Sequence, residues 1–568
     1  MNKLLCAVTV AAFAVANVAQ AATPIKAPPL TEVLKGISVK QVRSSASITV
    51  PIITWGGDIA TLVTNGNSLT TKPGSSFAKD GLNITLRRED VFSTQVKNYL
   101  QGNSPYLRGT LGMIQQASDV LCKIDSTCPK VVYQMTWSAG GDALVVAPGI
   151  ATVSDLKGKR IAVQAYGPHV DYLTKVLADG GLSTNDVTLV WMRDLTGTEE
   201  TPAEALLAGK ADAATVIIPD ALALTSGGNV GTGAEGSIRG AKVLLSTKTA
   251  NRIIADVYAV RADYLRDNPE KVQAFVHALM LGQESLQKIV RTKGSGYTKT
   301  FRFAAEALLD SPNAVPDAEG LYGDAEFVGF KGNVDFLTSN NYPRRFTVLE
   351  KETRSAFQGL GLVKGPSILA KGSLDFNSLR QGLANTDAVV ESRFNPDAVA
   401  NVVTRKQQQD TLEDGELFSF EIFFSPNQKE FSTDLYAADF EKVTQLAATY
   451  GGAIITVEGH ADPLEWLRMK KNGESPVVLA QQKQSARNLS LARAAEVRKS
   501  VITYANSKSV SLNPDQFALV PHGISKPRNG ICGSDPCAPK NEKEWRNNMR
   551  VLFRIIQIEA EASVFRPL

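Results

Sequence analysis

The chain has 568 residues, five cysteines and a formal net charge of +4. That length exceeds what a single core organises and calls for two or three domains. The small charge, with no basic run interleaved with aromatics, argues against a nucleic-acid binder, and beyond the N-terminus no stretch reaches the roughly 18 apolar residues a membrane helix needs.

Residues 1–21 read as a signal peptide. Lys3 supplies the charge, Leu4 to Val18 the apolar core, and Ala19-Gln20-Ala21 the cleavage site, leaving Ala22 as the mature start. Cys6 departs with it. The other four cysteines form two local pairs, Cys122 with Cys128 and Cys532 with Cys537. Two disulfides stapling surface loops in an oxidising compartment are expected. Their spacings do not fit a zinc ribbon, and no metal site is expected.

After an extension at 22–44, strands and helices alternate, which argues for α/β layers with largely parallel strands. Ile48 to Trp55 is a β-branched strand ending at Gly56-Gly57-Asp58. Gln95 to Leu100 is helical. Val131 to Trp137 is a strand followed by Ser138-Ala139-Gly140-Gly141-Asp142. Next come Leu156-Lys157-Gly158-Lys159-Arg160-Ile161-Ala162-Val163-Gln164 and a helix start at Tyr166-Gly167-Pro168-His169. The helical Ala203 to Ala208 stops at Gly209, and a buried strand runs on to Pro219-Asp220.

The strings DLKGKRIAVQ and ALLAGKADAATVIIPDA resemble the periplasmic solute-binding proteins of the nitrate, taurine and sulfonate, and thiamine-precursor group. GLYGDAEFVGFKGNVDFL at 320–337 looks like a distal segment of some members. The resemblance covers residues 45–383. It implies a two-lobe α/β periplasmic binding protein of type II-like fold, with the second lobe at about 150–255, a small-molecule solute in the cleft and an ABC permease as partner. Ligands bind where strand carboxyl ends meet helix N-termini. The candidate solute-binding residues are Trp55, Gly57, Asp58, Gly112, Ser138, Gly140, Tyr166, His169 and Asp220. Trp55, Trp137 and Tyr166 could wall an apolar or planar ligand. Asp58, Asp142 and Asp220 could favour a cationic or amine-bearing solute, but aspartates also cap helices, so the ligand's charge stays open.

Residues 384–412, with Arg393-Phe394-Asn395-Pro396-Asp397 and Lys406-Gln407-Gln408-Gln409-Asp410, read as a partly helical, solvated linker. Beyond it, the apolar strand Ala453 to Val457 runs into Gly459-His460-Ala461-Asp462. A helix opens at Asn488-Leu489 with Leu491, Ala494, Val497 and Val501 on one face. Gly459 to Asp462, Leu489 to Ala494, Asn548-Met549-Arg550-Val551 and Phe424-Ser425-Pro426-Asn427 together resemble the OmpA-like peptidoglycan-binding domain over 413–560, an α+β fold. By that resemblance Asp462 and Arg493 hold the diaminopimelate of the stem peptide, and Asn427 and Asn548 line the pocket. The chain departs from the family in a longer loop carrying Trp466, Arg468, Lys470 and Lys471, in Met549, and in Ser425.

No GxSxG, HExxH or Walker loop occurs, and His169, His277, His460 and His522 are scattered. Thiamine-pyrimidine synthases share the fold group but carry a cysteine-rich iron motif that is missing here. No catalytic residue and no cofactor are expected. The combined reading is an exported solute-binding protein in the periplasm, associated with cell wall or outer membrane. Its alternative is a structural envelope protein whose α/β part is a docking surface.

Overall fold

The computed structural model describes residues 22–227, 230–366, 369–387, 396–413, 415–429, 431, 433–508, 510, 512–533 and 535–556. The expected signal peptide and part of the expected linker lie outside the described residues. Among the described residues no helix is long and apolar enough to cross a membrane.

The first lobe opens with β1 (Ile48–Ile52), α1 (Asp58–Thr64) and β2 (Ile84–Arg88), where β1 and β2 form a parallel pair. β3 (Tyr106–Thr110) runs directly into α2 (Leu111–Gln116), whose first turn is capped by the Thr110 hydroxyl accepting from Met113 N–H. β4 (Pro129–Ser138) is buried along almost its whole length, as a central strand covered on both faces must be.

The chain then crosses to a second lobe. There lie β5 (Asp142–Val146), β6 (Arg160–Gln164), α3 (His169–Asp179), β7 (Thr188–Met192), β8 (Ala213–Ile217), α4 (Ile218–Leu224) and β9 (Lys242–Ser246). It returns through β10 (Ala255–Arg261), α5 (Pro269–Thr292), β11 (Ala325–Phe327), α6 (Phe346–Gly359) and β12 (Ala370–Lys371). The second-lobe sheet runs β7-β6-β8-β5-β9, and the first-lobe sheet β11-β4-β10-β3 with β12 beside β4.

Neither sheet is largely parallel, contrary to the sequence expectation. β10 is antiparallel to both β3 and β4, and β5 to both β8 and β9. The reason is the path of the chain. It leaves the first lobe from the end of β4 and returns into the start of β10, so the crossover strands run in opposite senses. Residues 139–141 and 247–254 are therefore the two connections between lobes.

The C-terminal unit holds α7 (Pro396–Gln409), β13 (Glu416–Phe423), α8 (Ala437–Thr449), β14 (Ile454–His460), α9 (Leu464–Lys471), α10 (Pro476–Ser507), β15 (Phe517–Gly523), the short pair β16 (Ile531–Cys532) and β17 (Asp535–Pro536), and β18 (Arg550–Ile556). Its sheet order is β13-β18-β14-β15, with β14 parallel to β15 and antiparallel to β18. α8 and α10 cover one face, on Ile455, Val457, Val551 and Phe553.

Three expectations change here. The expected solvated linker buries Val399, Val402 and Val403 of α7 against Ile454, Val520 and Ile556 on the other face; its apolar stripe has the sheet to cover. The helix expected from Asn488 begins twelve residues earlier, at Pro476, where the Ser475 hydroxyl accepts from Val478 N–H. Ala494, Val497 and Val501 are buried as expected, but Leu491 is 39% exposed. The long loop after Asp462 is largely helix α9, pinned by Trp466 packing on Ala461, Ala486 and Ile524. Both cysteine pairs are bonded, Cys122 to Cys128 and Cys532 to Cys537.

The C-terminal unit does not hang free. Its core is continuous with that of the second lobe, where Phe440, Leu446 and Tyr450 join Val153, Val176 and Leu177. The Tyr450 hydroxyl donates to Asp179 at 2.9 Å, and Gly452 N–H donates to the Thr249 carbonyl at 3.1 Å.

Candidate functional site

Two sites can be built from the residues upward: the crevice between the lobes, and the end of β14 in the C-terminal unit.

The crevice is a buried polar seam. Arg108 stands in mid-β3, wholly buried, because its guanidinium is claimed twice. Nη2 lies 2.9 Å from Asp58 and Nη1 2.8 Å from Asp256. Burial pushes Asp58 up to about 7 although Arg108 pulls the other way, and it raises Asp256 too. Arg108 itself is held above its ordinary range by the two carboxylates against its own burial. One cation thus serves two acids, and the shortage falls on the acids.

On the second-lobe side, Asp142 accepts from the Ser138 hydroxyl at 2.6 Å and pairs with His169 Nε2 at 2.7 Å. Asp171, in the first turn of α3, is buried against the N-terminal turn of α2 in the first lobe. A side-chain carbon on Gly112 would come within 2.5 Å of the Asp171 carboxyl carbon. Burial pushes Asp171 up to about 8, with its own helix N–H groups opposing and Asp142 and Asp256 adding. Asp220 is likewise raised by burial, with Thr196 and then His169 opposing.

The structure thus gathers Asp58, Ser138, His169 and Gly112 about one seam and assigns them partners within the chain. Asp58 is an ion-pair member, not a free ligand group. Gly57 and Gly140 are close-packing positions: a side-chain carbon would lie 2.6 Å from Met135 Sδ at the first and 2.6 Å from Asp324 Oδ1 at the second. Trp55 donates from Nε1 to Thr136 at 2.9 Å. Trp137 is core, edge-on to Phe336 with Arg252 over its ring. Tyr166 likewise has a partner within the chain. Its hydroxyl donates to the Pro28 carbonyl at 2.5 Å, in the N-terminal extension. Cavities of about 910 and 960 Å³ lie outside the seam's centre, the second between α3, α6 and α8, with Asp171 at its edge.

Sequence reasoning missed Arg108, Asp171 and Asp256. The signal for two of them was there: an arginine inside Tyr106 to Thr110 and an aspartate inside Ile253 to Val260, each a charge in an apolar run, which needs a buried partner.

In the C-terminal unit, Arg493 is 1% exposed. Its guanidinium donates to three carbonyls, of Gln428 at 2.9 Å, His460 at 3.2 Å and Ser425 at 3.3 Å, and stacks on Phe424. Among the described residues no carboxylate lies within ion-pair distance of it. Burial lowers its pKa to about 10, with the Asp462 charge opposing. Asp462 is half-buried and accepts from Leu464 N–H at 2.6 Å; burial raises it, against that bond and then Arg493. The two side chains are neighbours without a direct bond. Asn427 is exposed, on the loop whose carbonyls cover Arg493. Asn548 does not line an open pocket: it is fully buried and exchanges two hydrogen bonds with the Asn529 backbone, both 3.0 Å.

Two of the scattered histidines meet. His460 and His522 stack with ring centroids 4.8 Å apart, and with Glu458 they offer ligand atoms all within 4.8 Å of one another. Those three residues could hold a metal ion. Glu458 already accepts from His522 at 3.1 Å, from Arg554 at 2.9 Å and from Thr456 at 2.8 Å. Burial opposes, but these bonds and the Arg554 charge hold it at about 2. Burial and then the Arg550 charge push His460 well below its usual range, so it is neutral.

Comparison with known proteins bears on the first two lobes. A family model described as NMT1/THI5 like matches residues 143–288, from β5 into α5. Among solved structures, the chain is similar to the alkanesulfonate-binding protein SsuA from Xanthomonas axonopodis pv. citri bound to MOPS, at 16% identity and TM-score 0.38 over 58% of this chain and 98% of that one. It is similar to the periplasmic aliphatic sulphonate binding protein SsuA from Escherichia coli at 15% identity and TM-score 0.40, over 57% and 96%. It is also similar to the desulfurization enzyme DSZB at 17% identity and TM-score 0.36, over 58% and 98%. No curated protein matches the chain.

Proposed function

We propose that the chain is an exported solute-binding receptor of an ABC-type uptake system, moored non-covalently to peptidoglycan by its C-terminal unit. The observation that carries the receptor half is the pair of α/β lobes joined by two crossovers around a buried polar seam. The NMT1/THI5-like match over the second lobe supports it. A binder, not an enzyme, suits a seam whose charged groups hold one another and present no nucleophile with a free base.

The mooring rests on Arg493 and Asp462. A buried guanidinium that meets only neutral carbonyls keeps an unspent positive charge. A half-buried carboxylate beside it supplies the opposite one. Together they suit the carboxylate and ammonium of one amino-acid headgroup, as the resemblance to the OmpA-like domain implies. The loop at 425–428 covers the arginine, so the headgroup enters as that loop shifts. The sheet order β13-β18-β14-β15 with its two covering helices supports the same reading.

Purified sacculi test it. The full chain is expected to sediment with them, and Asp462→Asn and Arg493→Lys are each expected to cut retention about tenfold or more, the worth of one charge-assisted contact. Retention unchanged in both variants would remove the mooring.

A second reading, a structural envelope protein with the α/β part as docking surface, is favoured by one observation. The extension at 22–44 ties the lobes together, with Ile25 N–H on Trp191 O in the second and Lys40 N–H on Leu100 O in the first. A solute that raises the unfolding midpoint decides for the receptor.

A further inference from the structure

The hydrogen-bonding capacity that the inter-lobe seam leaves unmet is mostly on acceptor atoms. Gln116 Oε1 and Asp171 Oδ1, in residues 2% and 4% exposed, have no donor, and neither has Asp220 Oδ2. His169 Nδ1 is also unpartnered and serves in either role. Gln116 is held in this orientation by its Nε2, which donates across the crevice to Gly167 O. The donors nearby are already committed: Arg108 to Asp58 and Asp256, Trp55 Nε1 to Thr136, the Ser138 hydroxyl to Asp142. Buried acceptors without donors are uncommon and costly, so a group bearing donors is what the seam lacks.

Charge points the same way. The buried carboxyls of Asp58 and Asp256 share the guanidinium of Arg108, that of Asp142 pairs with the ring of His169, and among the described residues no cation lies within ion-pair distance of Asp171. An anion would ordinarily go to a helix N-terminus in such a crevice. At α2 that place faces the Asp171 carboxyl, packed on Gly112. The chain fills that place with a carboxyl of its own, and a sulfonate or nitrate would bring only more acceptors.

We infer that the crevice takes a small organic cation with N–H donors, an amine or guanidine, received by Asp171, Asp220 and the Gln116 carbonyl oxygen. This rests on the receptor reading and fixes the sign and hydrogen-bonding sense of its solute. A bound cation supplies the missing counter-charge, which is why Asp171, pushed up in its absence, becomes a carboxylate when the site is filled.

The test is calorimetry and thermal unfolding of the full mature chain with three probe sets: putrescine, spermidine and agmatine; methanesulfonate, sulfate and nitrate; and uncharged uracil. At least one amine is expected to bind and raise the midpoint, and the anions to leave it unmoved. Asp171→Asn and Asp220→Asn are each expected to raise the amine's Kd about tenfold or more. Asp171→Asn is also expected to raise the midpoint of the ligand-free protein, since it removes a buried acid short of a partner. Asp220, only partly buried, keeps the test alive if the first variant misfolds. An anion or uracil binding where amines do not overturns the cation inference and leaves the receptor standing. Amine binding indifferent to both variants overturns the assigned residues. Folded protein that binds none of the three sets overturns receptor and inference together.

Discussion

Arg108 and Arg493 are both buried guanidiniums, and their surroundings send them opposite ways. Arg108 meets two carboxylates and is held above its ordinary range, whereas Arg493 meets three neutral carbonyls and falls to about 10. The first is fixed structure and the second is unfinished business, which is why only the second is a binding candidate. Glu458 gives a residue-scale prediction. Its folded pKa of about 2 lies below the ordinary 4.5. A depressed carboxyl contributes stability above its unfolded pKa and loses it as pH falls through the folded value. Acid melts should therefore show the C-terminal unit losing on the order of 3 kcal/mol between about pH 4.5 and 2. Glu458→Gln should flatten that slope, and an unchanged slope would mean another group controls it.

At the scale of elements, the turn between α8 and β14 docks the C-terminal unit on the second crossover. A side-chain carbon on Gly452 would sit 1.6 Å from the Lys248 carbonyl oxygen, so only glycine permits this approach. Gly452→Val is expected to detach the unit without unfolding either part. Small-angle scattering should then report a larger radius of gyration. Retained compactness would show that the shared apolar core and the Tyr450 contact suffice without this approach. Strand and helix placement was largely legible in the sequence where apolar periodicity was strong, as in Val131 to Trp137 and Ala494 to Val501. It failed where partners decide: α7 looked polar because its three valines are sparse, and only the back of the sheet makes them a stripe.

For the whole molecule, the N-terminal extension acts as a strap over the crevice. It bonds to Trp191, to Lys210 and to Tyr166 on the second lobe, and to Leu100 and Gly102 on the first. On the receptor reading, a strap on both lobes opposes the hinge opening that solute entry would need. Removing 22–29 takes away the bonds to Trp191, Lys210 and Tyr166 on the second lobe, about 0.5–1.5 kcal/mol each. The shortened chain is expected to open more often, with faster solute association and faster amide exchange at the seam. Unchanged association would mean the lobes' own contacts hold them shut.

The sequence by itself determined the local matters: paired cysteines, apolar strands, and the order of motifs that resemble a receptor followed by a wall-binding domain. These are read from neighbours along the chain, and neighbours are what periodicity and spacing record. Only the tertiary structure decided what the candidate residues do. Tyr166 was taken by the strap, Asp58 by Arg108 and Asn548 by Asn529, while Asp171 was brought against Gly112. Each outcome depends on a partner between 19 and 138 residues away along the chain, and burial sets the energy of a charge only once that partner is in place.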